Sequence, residues 1–136
     1  MTAVGRGEDR ADANKAWQKI GANMTPSDIA QKLYAIASDR KAKELRLLQI
    51  TDLTVLADYF IIATANSTTH IRTMADEMAL QLKQLGEPVR NIEGHGRNSW
   101  MLLDFGCVVA HLFMPEAREF YNLDRVWADA KEISSE

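Results

Sequence analysis

Asp104-Phe105-Gly106 spells the triplet that holds a metal in protein kinases. The kinase reading also needs a glycine-rich loop, a strand lysine and a His-Arg-Asp loop, and none occurs in this sequence. Cys107 and His111 lie four apart on a strand-like run, hence on one face but about 13 Å apart by strand rise. That is too far for a shared metal. His70 and His95 have no Cys-x-x-Cys or His-x-x-x-His context, so no tetrahedral zinc set emerges. Ser67-Thr68-Thr69 follows an apolar strand and opens a helix, where backbone amides could hold a phosphate. Nucleotidyltransferases place Gly-Ser at such a junction and hold metal ions with paired carboxylates on the next strands. Here Asn66 precedes Ser67 and no Asp-x-Asp follows, so a helix cap explains the serine better. No G-x-S-x-G elbow is present. Asp39, Asp52, Asp58 and Asp104 are scattered, and without a partner base they make no acid/base pair. The residues offer no catalytic set, no cofactor site and no metal site.

Composition narrows the classes that remain. At 136 residues the chain is one domain by length. A domain of this size buries roughly 68% of its unfolded surface. One cysteine excludes an internal disulfide and fits a reducing compartment. The opening MTAVGRGEDRADANKAW has no apolar run of signal-peptide length. No run approaches the ~20 apolar residues of a membrane span. The expectation is a cytoplasmic protein with no membrane partner. Net charge is −3, unevenly spread. Residues 1–24 carry +1, residues 25–99 are balanced, and residues 100–136 carry three basic and seven acidic side chains. A chain that grips phosphates would show a basic stripe. Here the aromatic-rich end is acidic, which disfavours direct nucleic-acid binding, DNA included. It suits either a basic protein partner or a plain solvated surface.

The elements that must position these residues can be read from periodicity. Residues 1–24 read as a mobile extension, with helical spacing around Ala11–Ile20, where Trp17 and Ile20 lie three apart. Thr25-Pro26-Ser27-Asp28 is a helix start. Ile29, Leu33, Ile36 and Ala37 carry that helix to about Arg40. Leu45–Ile50 reads as a strand, Thr51–Leu56 as a turn, and Asp58–Ala65 as an interior strand covered on both faces. Asn66-Ser67-Thr68 starts a second helix, whose stripe is Ile71, Met74, Ala75, Met78, Leu82 and Leu85. Gly86 ends it and Pro88 prevents continuation. Val89–Ile92, Ser99–Leu103 and Cys107–Phe113 read as strands, and Glu93–Asn98 as a loop. Pro115–Tyr121 and Leu123–Ala130 read as short helices. The order predicts an α/β (α+β) domain over residues 25–130, a mixed sheet of about five strands with helices packed on it. Residues 131–136 read as a C-terminal tail.

A tight turn centred on Phe105-Gly106 would pair Trp100 with His111, Leu102 with Val109 and Asp104 with Cys107. Strand alternation then puts Trp100, Leu102, Asp104, Cys107, Val109, His111 and Phe113 on one face. Met101, Leu103, Val108, Ala110 and Leu112 share the other, which is wholly apolar and suits the two long helices. The first face mixes aromatics with Asp and His. It reads either as an interaction surface or as the seat of the chain's own C-terminal helices. The candidate partner-binding residues are Trp100, Leu102, Asp104 and His111, with Glu116, Arg118 and Tyr121 at the edge.

Four separated motifs resemble one family in order and spacing: Ala57–Ser67 (ADYFIIATANS), Trp100–Gly106 (WMLLDFG), Val108–Phe113 (VVAHLF) and Arg118–Trp127 (REFYNLDRVW). The chain is similar over about residues 26–130 to the ribosomal silencing factor (Iojap-like) family. Two positions depart from its pattern: Ala65 where a glycine is usual, and Cys107 where an acid is common. The resemblance implies a non-enzymatic, nucleotidyltransferase-like topology. It implies binding to the large ribosomal subunit through ribosomal protein fourteen, which blocks joining of the small subunit and lowers translation when nutrients are scarce. It also implies a homodimer when free. The other reading in view is a degenerate nucleotidyltransferase that binds nucleotide.

Overall fold

The computed structural model describes residues 24–94 and 99–133. The expected extension, apart from Met24, lies outside these residues, as do His95 in the expected loop and the last three residues of the expected tail. Helix α1 (Pro26–Asp39) starts where the capping signals place it. The Thr25 hydroxyl accepts from the Asp28 N–H at 3.0 Å, and the Asp28 carboxylate accepts from the Thr25 N–H at 3.1 Å. Two orphan amides of the first turn are thus satisfied reciprocally, with Pro26 at a position that needs no donor. Ile29, Ala30, Leu33, Ile36 and Ala37 are buried along one side. Helix α2 (Thr68–Gln84) is capped by Ser67, whose hydroxyl accepts from the His70 N–H. Its buried stripe is the expected one, and Leu85 just beyond it is buried too. The helix closes with the Gly86 N–H on the Lys83 carbonyl and the Glu87 N–H on the Leu82 carbonyl, which satisfies two end carbonyls.

Among the described residues the sheet has six strands rather than about five: β1 (Lys43–Gln49), β2 (Tyr59–Thr64), β3 (Asn91–Glu93), β4 (Trp100–Asp104), β5 (Val108–Phe113) and β6 (Lys131–Glu132). Their order is β3-β4-β5-β2-β1-β6. Only β2 and β5 run parallel, with Tyr59 beside Val108 and Thr64 beside Phe113. The unforeseen strand is β6. It draws residues expected in the tail onto β1, with Leu48 opposite Glu132, and the Ile133 N–H donates to the Leu47 carbonyl at 2.9 Å.

One sheet face lies under α1 and α2. Leu47, Ile61, Ala63, Met101, Leu103, Val108, Ala110 and Leu112 join the helix stripes in one buried cluster. Each of the leucine, isoleucine, valine and methionine side chains among them contributes about 1.5–3 kcal/mol when fully buried. The opposite face carries Leu48, Ile62 and Phe113, with half-buried Phe60, Trp100 and Val109. Two short helices cross it: α3 (Pro115–Tyr121), which matches its expected span, and α4 (Leu123–Val126), shorter than expected. They cover it with Ala117, Leu123 and Trp127.

The β4–β5 register differs from the expected one by two residues. Trp100 faces Phe113, Leu102 faces His111 and Asp104 faces Val109. The Phe105 N–H donates to the Val108 carbonyl, so the turn is centred on Gly106-Cys107. Gly106 takes φ 91° at the first central position, as the primed hairpin turns require. A shift of two preserves parity, so the predicted faces hold for the strand residues; Cys107 is the exception, because it falls in the turn and packs against the cluster under the two long helices.

Candidate functional site

At the end of the sheet where β4 begins and β5 finishes, the face opposite α1 and α2 carries an aromatic cluster. The indole of Trp100 stacks on its cross-strand neighbour Phe113, with centroids 5.7 Å apart, and on His111 at 6.1 Å. Tyr121, from the last turn of α3, leans on the same indole at 4.8 Å. Phe120 packs edge-on against Tyr121 and is 79% exposed. The cluster therefore runs from a buried floor at Phe113 and His111 to an exposed rim at Tyr121 and Phe120. The floor positions the rim, because rings that stack in pairs restrict one another's orientation.

Beside the cluster, Trp100, Leu102, Glu93 and Gly94 line a recess of about 130 Å³. Gly94 is needed there. A Cβ on it would stand 2.3 Å from the Trp100 carbonyl, and its φ is 80°. Glu93 faces Leu102 and Asn91 faces Asp104 across β3 and β4, so all four share the open face. Asp104 is half-buried, and one carboxylate oxygen accepts from the Gly106 N–H at 2.7 Å. It therefore belongs to the turn as well as to the surface. Glu116 is exposed on α3.

Two of the seven sequence-predicted site residues are not surface groups. His111 is 5% exposed, and neither ring nitrogen has a protein partner. Burial lowers its pKa from 6.5 to about 4, so the ring is neutral at physiological pH. It is packed between Phe60, edge-on at 4.7 Å, and the Trp100–Phe113 stack. The Trp100 Nε1–H, also buried, has no protein partner. Arg118 is 7% exposed. Its guanidinium grips Asp124 through Nε at 2.8 Å and Nη2 at 2.9 Å, while Nη1 donates to the Thr64 hydroxyl at 2.8 Å. Asp124 also meets Arg46 at 2.7 Å, and Arg46 reaches Glu132 at 3.0 Å. The chain of charges ties α3, α4 and β6 to the sheet. The Asp124 pKa falls to about 2, first through the Arg118 hydrogen bonds and then through Arg46, against an opposing effect of burial. Arg118 is thus a structural bolt, and Phe120 and Glu93 are the rim groups that the sequence reading passed over. No local pattern signalled Phe120, since adjacent residues of the same short helix, Ala117 and Arg118, are both buried.

The groups weighed for chemistry are engaged elsewhere. Ser67 caps α2, and His70 Nδ1 accepts from the Asn66 N–H at 2.9 Å while its Nε2 meets the Arg40 carbonyl at 2.6 Å. The strand-to-helix junction is therefore closed by its own side chains. Cys107 is a half-buried turn residue, and burial first, then Asp58, pushes its thiol pKa up. Among the described residues no group of three His, Cys, Asp or Glu side chains could hold a metal ion. Nor is any helix among them long and apolar enough to cross a membrane.

These features define a class: a single-sheet α/β domain with one face sealed by two long helices and an aromatic, acid-flanked corner left open on the other. Residues 23–136 match the family described as Ribosomal silencing factor during starvation, and the chain belongs to that family. It is 37% identical over 110 residues to ribosomal silencing factor RsfS of Zymomonas mobilis, covering 81% of this chain and 83% of that one. It is 33% identical over 107 residues to RsfS of Bacillus subtilis, covering 79% and 91%. A crystal structure of a Chromobacterium violaceum protein superposes with a TM-score of 0.75 at 28% identity, covering 82% of this chain and 92% of the other.

Proposed function

We propose that this chain is a ribosome-associated silencing factor. In this reading it binds the large ribosomal subunit through protein fourteen and sterically blocks the small subunit from joining. Membership of the family supports the ribosomal role. The observation that carries the mode of binding is the graded aromatic corner: Trp100 and Leu102 half-buried, Tyr121 and Phe120 exposed, with Glu93, Asp104 and Glu116 around them. Interfaces are anchored by aromatic residues seated in a polar surround. Acids at the rim favour approach by a basic protein. The binding residues of this reading are Trp100, Leu102, Asp104, Glu116 and Tyr121, with Phe120 and Glu93 added. His111 and Arg118 act from beneath as supports. The free chain is a cytoplasmic homodimer in the same reading. Tyr121→Ala tests it: large-subunit binding should weaken roughly thirtyfold, the equivalent of ~2 kcal/mol. Unchanged binding by a folded Tyr121→Ala protein would place the interface elsewhere.

A further inference from the structure

The β1–β2 connection exposes Leu53, Val55 and Leu56, with Val55 at 101% and Leu56 at 81%. Scattered exposed aliphatics are normal, but three within four residues make a patch. The connection is held in place. The Ile50 N–H donates to the Asp58 carbonyl at 2.8 Å, the Asp58 N–H to the Cys107 carbonyl at 2.7 Å and the Leu53 N–H to the Ile50 carbonyl at 2.9 Å. Its roots, Ile50 and Ala57, are buried with Phe60 and Trp127 on the face opposite α1 and α2. That is the face of the aromatic corner. Trp100 and Phe113 pair level with Thr64, whereas Tyr59 pairs with Val108 at the end from which the connection leaves. The two levels lie about 17 Å apart along the strands. Half-buried Leu102 and Val109 lie between them on the same face.

We propose that Leu53, Val55 and Leu56 are a second anchor of the same docking surface, seated in an apolar pocket of the basic protein that the aromatic corner meets. The proposal rests on the silencing-factor reading above. Three arguments carry it. The first is area. The exposed parts of Trp100, Leu102, Phe120 and Tyr121 supply only about half of the ~800 Å² that one partner gives to a standard interface. The connection adds on the order of 300 Å², which brings the total close to that share. Two copies meeting through this patch alone would bury only about 600 Å², less than a stable pair needs. The second is charge. The connection carries two acids, Asp52 and Asp58, and no base. With Glu93 and Asp104 they give both ends of the face the same sign, which suits one basic partner and opposes a second copy or an anionic membrane. The third is preorganisation. The hydrogen bonds at its roots fix the connection before contact, so little ordering cost remains to be met on binding.

The test is equilibrium binding of the full chain to purified large ribosomal subunits, with the melting temperature of each variant recorded beside it. The paired variant Val55→Ser with Leu56→Ser should bind at least about tenfold more weakly. Its melting temperature should be unchanged, because both side chains are exposed. Combined with Tyr121→Ala, the two losses should multiply, since sites this far apart act independently. A benzophenone side chain at position 56 should crosslink to the same large-subunit protein as one at position 120. Native binding by the paired variant, beside a weakened Tyr121→Ala, overturns this proposal and leaves the silencing-factor reading standing. Crosslinking of position 56 to a different protein, to a second copy of the chain or to nothing overturns it too. A native chain that does not bind large subunits overturns both.

Discussion

Tyr121 lies across the indole of Trp100, with ring centroids 4.8 Å apart and planes tilted by 41°. One ring belongs to α3 and the other to β4, so the contact joins the helix that follows β5 to the first residue of β4. Trp100 also stacks on Phe113, which is fully buried. The indole therefore serves the core on one side and the surface on the other.

That double role separates two substitutions. Trp100→Ala removes a half-buried ring from the core of this face and should cost about 2–3 kcal/mol of folding stability, near the low end for a large-to-small change. Tyr121→Ala removes a ring that is 44% exposed and packed on one side only, and should cost about 1 kcal/mol. Both should weaken ribosome binding, but only Tyr121→Ala should do so with the melting temperature nearly preserved. Urea titration of both variants checks the ordering. Equal destabilisation would contradict it.

Arg118 should behave as a structural residue. Arg118→Met leaves Asp124 and the Thr64 hydroxyl without their shared partner, and breaking a buried pair costs about 3–5 kcal/mol. Because Asp124 keeps Arg46 and is part-exposed, the lower end applies. Arg118→Lys should rescue little, since an ammonium cannot reproduce the two-pronged contact. Denaturant unfolding reads both, and a near-native Arg118→Lys would count against the geometry.

Buried His111 makes stability depend on pH. The unfolded ring takes up a proton near pH 6.5 and the folded ring only near pH 4. Between these values the unfolded state binds more protons, so stability falls as pH falls, by up to about 3 kcal/mol across the window. Asp124 contributes later, as pH drops from 3.8 towards 2. Replacing the ring by His111→Leu should flatten the slope between pH 6.5 and 4. A variant with the native slope would show that another group titrates there.

Much of this was legible in the sequence, and the misses have physical reasons. The stripe from Ile71 to Leu85 and the cap at Thr25 are local patterns, and both appear as expected. The hairpin register missed by two because Phe105-Gly106 and Gly106-Cys107 are both plausible turn centres, and only the Phe105–Val108 hydrogen bond chooses. The faces survived because a two-residue slip keeps the alternation. Strand β6 has two residues and no period to read. The burial of Arg118 depends on Thr64, fifty-four positions away, which no local pattern reports.

The acids of the open face should act on association rate. Glu93→Lys keeps the Asp104–Gly106 turn bond, unlike Asp104→Lys, which removes it. It should slow capture of a basic partner by several-fold at low salt and less at high salt. Stopped-flow association at two ionic strengths measures both effects. A salt-independent change would mean that Glu93 acts through shape instead of charge.

In the proposed function the chain acts sterically, by occupying the large subunit where the small one must dock. Sucrose-gradient sedimentation of purified subunits with saturating protein tests it most directly. The chain is expected to travel with large subunits and not small ones and whole ribosomes to fail to form, and Tyr121→Ala, at the lowest concentration at which the native chain saturates, is expected to restore much of their formation. Whole ribosomes forming normally in the presence of saturating, large-subunit-bound protein would contradict it.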